Sequence, residues 1–142
     1  MGALPPERSM VIAAVEDIFF SAMIESSARS AGVEVKIAVD SERLNELLNS
    51  ALPGLVILDL NSKTCAPLEA VRSIRAEARL AGVPVIGFLS HVQVELEKAA
   101  RAAGCDRVLA RSAFVRNLPQ ILTSAVKLKQ SLTRPGGAPC DA

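Results

Sequence analysis

Glu16, Asp17, Asp59, Ser90 and Arg111 carry the side chains of this 142-residue chain best suited to chemistry, and each stands at a matching place in its pattern. Glu16 and Asp17 follow the apolar run Val11 to Val15, and Asp59 closes Leu55 to Leu58. Ser90 follows Val85 to Leu89, and Arg111 follows Val108 to Ala110. Continuous apolar runs of this kind belong in buried parallel strands, and open α/β sheets bind and react at the carboxyl ends of their strands. Three carboxylates drawn together there repel one another unless a hard divalent cation with an appetite for oxygen ligands lies between them. A cationic side chain beside them would stabilise the oxygens of an anionic group, and a hydroxyl would donate to it.

Each of these residues also has a plainer use. Acids favour helix N-termini, so Glu16 and Asp17 suit capping of the helix that follows them. Asp59 could be a solvated or helix-capping acid, although two further acids are expected beside it. Ser90 suits the cap of a helix starting near Val92. Arg111 suits an ion pair with Asp59 that would mimic an occupied site. His91, the single histidine, suits a surface loop and excludes a histidine-rich metal site.

The elements that must position these groups follow from periodicity. Met10 to Val15 is an unbroken apolar run and reads as a buried strand. Ile18 to Ala31 places Phe19, Phe20, Met23, Ile24 and Ala28 at roughly helical spacing, and Gly32 stops it. Val33 to Val39 alternates apolar and polar residues, the mark of a sheet edge. Ser41 is placed to cap a helix bearing Leu44, Leu47 and Leu48, which Pro53-Gly54 ends. Leu55 to Leu60 is the central strand, and Pro67 opens a helix with the stripe Val71, Ile74 and Ala78. Val83 to Leu89 is a strand, Val92 to Ala103 an alanine-rich helix, and Arg107 to Arg111 a short strand. A last helix carries Leu118, Ile121, Leu122, Ala125, Leu128 and Leu132; Pro119 belongs in its first turn, which makes Ser112 to Asn117 a separate turn.

Five strands alternating with five helices imply parallel pairing with right-handed crossovers and a three-layer α/β sandwich. The edge character of the second strand and the buried third favour the order 2-1-3-4-5. Its crevice lies between strands 1 and 3, where Glu16, Asp17 and Asp59 would meet. Residues 1–9, with Pro5-Pro6, read as a disordered lead, 10–132 as one domain, and 133–142 as a flexible tail.

Composition bounds the function class. Half of the chain is hydrophobic and the net charge is +1, which suits one domain with a good core and argues for neither nucleic acid nor membrane. Residues 1–97 hold 8 basic and 13 acidic side chains, whereas 98–142 hold 8 and 2, so the last helices carry a basic surface. Cys65, Cys105 and Cys140 are too far apart for a CxxC pair and suit free thiols in a reducing, cytoplasmic setting. Neither G-x-G-x-x-G nor G-x-x-x-x-G-K occurs, which argues against a nucleotide-binding member of the same fold class.

From residue 10 to 132 the chain resembles the receiver domain of two-component response regulators, as a divergent or pseudo-receiver member. The resemblance is carried by Glu16-Asp17, Leu-Asp-Leu around Asp59, Glu69, Pro-Val-Ile followed by Ser90, and Ala-Gly-Cys-Asp before Arg111. It implies a flavodoxin-like α/β fold and Mg²⁺ held by Glu16, Asp17, Asp59 and the backbone carbonyl of Asn61. Asp59 would be the phosphoacceptor, Ser90 the hydroxyl that senses the phosphoryl group, and Arg111 the cation that pairs with its oxygens. Partners implied are a histidine kinase or phosphotransfer protein, and a downstream protein on the face of helix 4, strand 5 and helix 5. That face gathers Lys98, Arg101, Arg107, Arg116 and Lys127, so an acidic partner fits it. The last helices are also a candidate homodimer surface. No catalysis is expected beyond accepting and losing a phosphoryl group.

Departures from the family pattern cluster around the site. Arg111 and Ser112 replace the usual lysine and proline, and Lys63 and Pro67 stand where proline and glycine shape the loop after the aspartate. His91 follows Ser90 where a small residue is usual, and Val108 replaces the aromatic residue of strand 5. Two functions remain: a phosphoaccepting receiver, or a phosphorylation-independent pseudo-receiver that binds a protein partner.

Overall fold

Each stretch that reads as a strand in the sequence becomes one in the computed structural model, which describes residues 10–91 and 93–133. In chain order the elements are β1 (Met10–Ala14), α1 (Ile18–Ala31), β2 (Glu34–Ala38), α2 (Ser41–Ser50) and β3 (Leu55–Asp59). They continue as α3 (Pro67–Ala76), β4 (Val85–Leu89), α4 (Val94–Ala103), β5 (Arg107–Ala110) and α5 (Arg111–Thr133). All strand pairs are parallel and the order is β2-β1-β3-β4-β5, as the patterning implies. β1, β3 and β4 are buried along their whole length, whereas β2 exposes Glu34 and Lys36 at one edge. The expected lead 1–9 and the residues beyond Thr133 lie outside the described residues.

Alternation along each strand divides the core into two layers. Met10, Ile12, Ala14, Val56 and Leu58 face α2, α3 and α4, packing on Leu44, Leu48, Val71 and Ile74. Val11, Ala13, Leu55, Ile57 and Phe88 face α1 and α5, packing on Phe20, Ile24, Phe114 and Leu118. Phe88 lies 4.7 Å from Phe20 and 4.7 Å from Phe114 between ring centroids, so three of the four phenylalanines form one stack. The fourth, Phe19, stays 87% exposed, because its neighbour Phe20 holds the buried stripe with Ile24 and Ala28.

The chain departs from the sequence expectations mostly at helix ends. Asp40, not Ser41, caps α2, its Oδ1 accepting from the Arg43 N–H at 2.8 Å. α3 ends at Ala76, so Ala78 lies in an exposed turn rather than on the buried stripe. α5 runs unbroken from Arg111 with Pro119 inside it, and there is no separate turn over 112–117. Val115 and Pro119 are both exposed, so the carbonyl that loses its N–H donor can be hydrated. The side chains expected along the rest of that helix, Ala125, Leu128 and Leu132, lie outside the described residues.

Gly32 ends α1 with φ 73° in the left-handed region, and the Val33 N–H reaches back to the Ala28 carbonyl at 2.9 Å. Cys65 and Cys105 are buried free thiols, in line with the sequence reading, and burial pushes Cys105 up to about 11.

Candidate functional site

The carboxyl ends of β1 and β3 lie side by side, with Ala14 paired to Leu58, and this adjacency brings the acids together. Asp59 is the last residue of β3 and only 5% exposed. Its Oδ1 accepts the Asn61 N–H at 3.0 Å. Burial raises its carboxyl above the ordinary range; the Asn61 N–H and the charge of Arg111 oppose that rise, while Glu16 and Asp17 add to it. Asp59, Glu16, Asp17 and Arg111 thus share one electrostatic neighbourhood.

Within it, each group is committed elsewhere. Asp17 caps α1, its Oδ1 accepting from the N–H groups of Phe19 at 2.8 Å and Phe20 at 3.1 Å. Glu16 is held by the β3–α3 loop. Its Oε1 accepts the Thr64 hydroxyl at 2.6 Å, the Ser62 hydroxyl at 2.7 Å and the Thr64 N–H at 3.3 Å. Those donors, the Thr64 hydroxyl first, pull its carboxyl from an ordinary 4.5 down to about 2. A lowered folded-state value means stability that is complete above pH 4.5 and lost as pH falls toward 2. Thermal melts followed by circular dichroism across that interval should fall less steeply for Glu16→Gln than for the parent.

Arg111 gives the largest correction. No ion pair joins it to Asp59 among the described residues. Its guanidinium carbon lies 4.8 Å from the ring centroid of Phe20 and 5.9 Å from that of Phe88, and its Nε is buried without a hydrogen-bond partner. A guanidinium is planar and weakly hydrated, so it stacks on an aromatic face where an ammonium would seek water or a carboxylate. Arg111 opens α5 directly after β5, which sets its side chain beside the Phe20–Phe88–Phe114 stack.

Ser90 lies one residue beyond β4. Its hydroxyl is 3.2 Å from Nδ1 of exposed His91, and its N–H donates to the Asn61 side-chain carbonyl at 2.7 Å. It does not cap α4, whose N-cap position is Gln93. Asn61 donates through Nδ2 to Gln93 Oε1 at 2.8 Å, so its side chain ties the β3–α3 loop to the approach of α4. Ser62, Thr64, Gln93 and the two rings under Arg111 were not read from sequence. The run Asn61-Ser62-Lys63-Thr64 after a strand-end acid was the one available signal, because hydroxyl and amide side chains in a short loop must find acceptors.

These contacts bear on the metal that the resemblance implies. Among the described residues, no group of three or more His, Cys, Asp or Glu side chains is disposed to hold a metal ion. Glu16, Asp17 and Asp59 each direct one carboxylate oxygen at a protein donor. As arranged, the residues do not fit a divalent cation. A groove of about 250 Å³ is lined by Leu60, Ala66, Pro67, Leu68, Glu69 and Leu96. Ala66 bends into α3 with φ 47°, and Pro67 takes the first helical position. No described helix is long and apolar enough to cross a membrane.

No family model and no curated protein sequence matches the chain. Solved structures do. The chemotaxis response regulator CheY4 of Vibrio cholerae matches at 21% identity and TM-score 0.73, over 82% of this chain and 97% of that one. A response regulator from Hahella chejuensis matches at 16% and 0.76, over 84% and 96%. The receiver domain of Francisella response regulator 1452 matches at 17% and 0.73, over 84% and 98%. Nearly the whole of each receiver is covered, and what these matches establish is architecture: the chain has the flavodoxin-like receiver fold of response regulators.

Proposed function

We propose that this chain is a receiver-type signalling module that acts by protein contact and does not depend on phosphoryl transfer to Asp59. The observation that carries this reading is the position of Arg111, stacked on Phe20 with its Nε unpartnered instead of facing the carboxylate. An incoming phosphoryl group would find a buried carboxylate with no cation paired to it, and transfer depends on charge stabilisation around the moving group. The capping of Asp17 and the binding of Glu16 by loop hydroxyls point the same way.

Contact with a partner then falls to the α4–β5–α5 face. Lys98, Arg107 and Arg116 are exposed there, while Arg101 pairs with Glu97 at 3.1 Å. An acidic partner surface complements that set.

A second reading keeps Asp59 as a phosphoacceptor served by a histidine kinase or phosphotransfer protein, with Mg²⁺ at the acids. Its support is the place of Asp59 at the end of β3 in the crevice beside β1. Intact mass after incubation with acetyl phosphate and Mg²⁺ separates the two. No mass gain is expected, under conditions where a competent receiver gains one phosphoryl group. A gain that disappears in Asp59→Asn would establish the second reading instead.

A further inference from the structure

The β3–α3 loop makes a set of bonds that the proposed function leaves unused. Ser62 is 7% exposed and donates to Glu16 while its Oγ accepts the Cys65 N–H at 3.1 Å. The Thr64 hydroxyl has one proton and two acceptors in reach, Glu16 at 2.6 Å and the Val39 carbonyl at 2.8 Å. The charged, nearer acceptor takes the proton. The Thr64 carbonyl in turn accepts the Ser41 N–H at 2.8 Å. Thr64 therefore joins the end of β1 to the start of α2.

We propose that Glu16, Ser62 and Thr64 form an internal latch. It closes the β3–α3 loop on the end of β1 and occupies the carboxylate oxygen that a divalent cation would otherwise take. Three donors converge on one oxygen of an acid that stands free in the sequence pattern, and they supply the compensation that a cation would give. Glu16 and Thr64 are positioning residues in this arrangement: they set the loop that carries Asn61 and the wall of the groove at Leu60 and Ala66. The bonds of the latch involve neither the Asp59 carboxylate nor Arg111, so it is tested without a phosphodonor and separately from the proposed function.

The test compares the full chain with Ser62→Ala/Thr64→Val and with Thr64→Ser, without phosphodonor. Amide hydrogen exchange is read at Thr64 and Cys65 in the absence of divalent ions, and Mn²⁺ affinity from the electron paramagnetic resonance signal of the free ion. The parent loop should be protected. In the double variant its exchange should quicken about tenfold, with β1 and β3 unchanged, because charge-assisted hydrogen bonds have been removed. Mn²⁺ should bind the double variant about tenfold more tightly, as two of the three donors on that carboxylate oxygen are gone and only the long Thr64 N–H contact is left. Thr64→Ser, which keeps the hydroxyl, should match the parent in both measurements. Equal Mn²⁺ affinity in parent and double variant, or a parent loop that exchanges as fast as the variant, overturns the latch. Should the double variant not fold, Thr64→Val alone is compared with the parent at the Thr64 N–H and in Mn²⁺ affinity. Both should change in the same direction by less, because Ser62 still donates to Glu16, and no change in either overturns the latch.

Discussion

Phe88→Ala is expected to lower the stability of the protein by about 4 kcal/mol, the upper part of the range for large-to-small core changes. Phe88 is fully buried in β4 and lies between Phe20 and Phe114, with both ring centroids 4.7 Å away. Its neighbours on the sheet, Asp59 on β3 and Leu109 on β5, are fixed by the strand register and cannot close the gap. The cavity would open under Arg111, which loses one of the two rings beneath its guanidinium. No tryptophan or tyrosine exists in the chain to report unfolding, so urea titration followed by far-ultraviolet circular dichroism is the measurement. Val115→Ala, at a position 37% exposed on α5, should stay within about 0.5 kcal/mol of the parent. A loss below about 1.5 kcal/mol for Phe88→Ala would mean that the stack is not the centre of this layer.

Asp59→Asn should move stability the other way, raising it by about 2 kcal/mol at neutral pH, the scale for relieving a buried polar group that lacks full compensation. Asp59 accepts one backbone N–H, has no paired cation, and feels both neighbouring acids. The amide has nearly the same shape, and its oxygen can still accept from Asn61. An acid whose folded-state value is raised above its ordinary 3.8 destabilises the fold only when ionised. The penalty is absent below that ordinary value and complete once pH exceeds the raised one. The advantage of asparagine should therefore be full at neutral pH and shrink as pH falls toward 3.8. Thermal melts of both proteins across that interval check the sign, and a lower melting temperature for Asp59→Asn at neutral pH would overturn it. A stabilising change at this position means that the carboxylate is kept at a cost to the fold, the pattern expected of a site held for contact or chemistry.

Arg111 and the loop after Asp59 mark where sequence reading stopped. The strands were legible because three of them are buried on both faces and read as unbroken apolar runs, while β2 alternates. The strand order followed from that difference. Pro119 was misjudged because a proline penalty is read as absolute in sequence, whereas an exposed helix face lets water take the orphaned carbonyl.

The partners of the site residues were of another kind. Ser62 and Thr64 lie 46 and 48 residues from Glu16, and both Asp59 and Phe20 are far along the chain from Arg111. Periodicity and composition determined the five-stranded fold, the shared strand end of Glu16, Asp17 and Asp59, and the basic bias of the last helices. Capping of α1 by Asp17 was among the uses the sequence offered; the tertiary structure alone decided that Glu16 is bound by hydroxyls and that Arg111 rests on Phe20. Periodicity is a local property of the chain, whereas a hydrogen-bond or stacking partner is chosen among all groups that packing brings within about 3 to 6 Å.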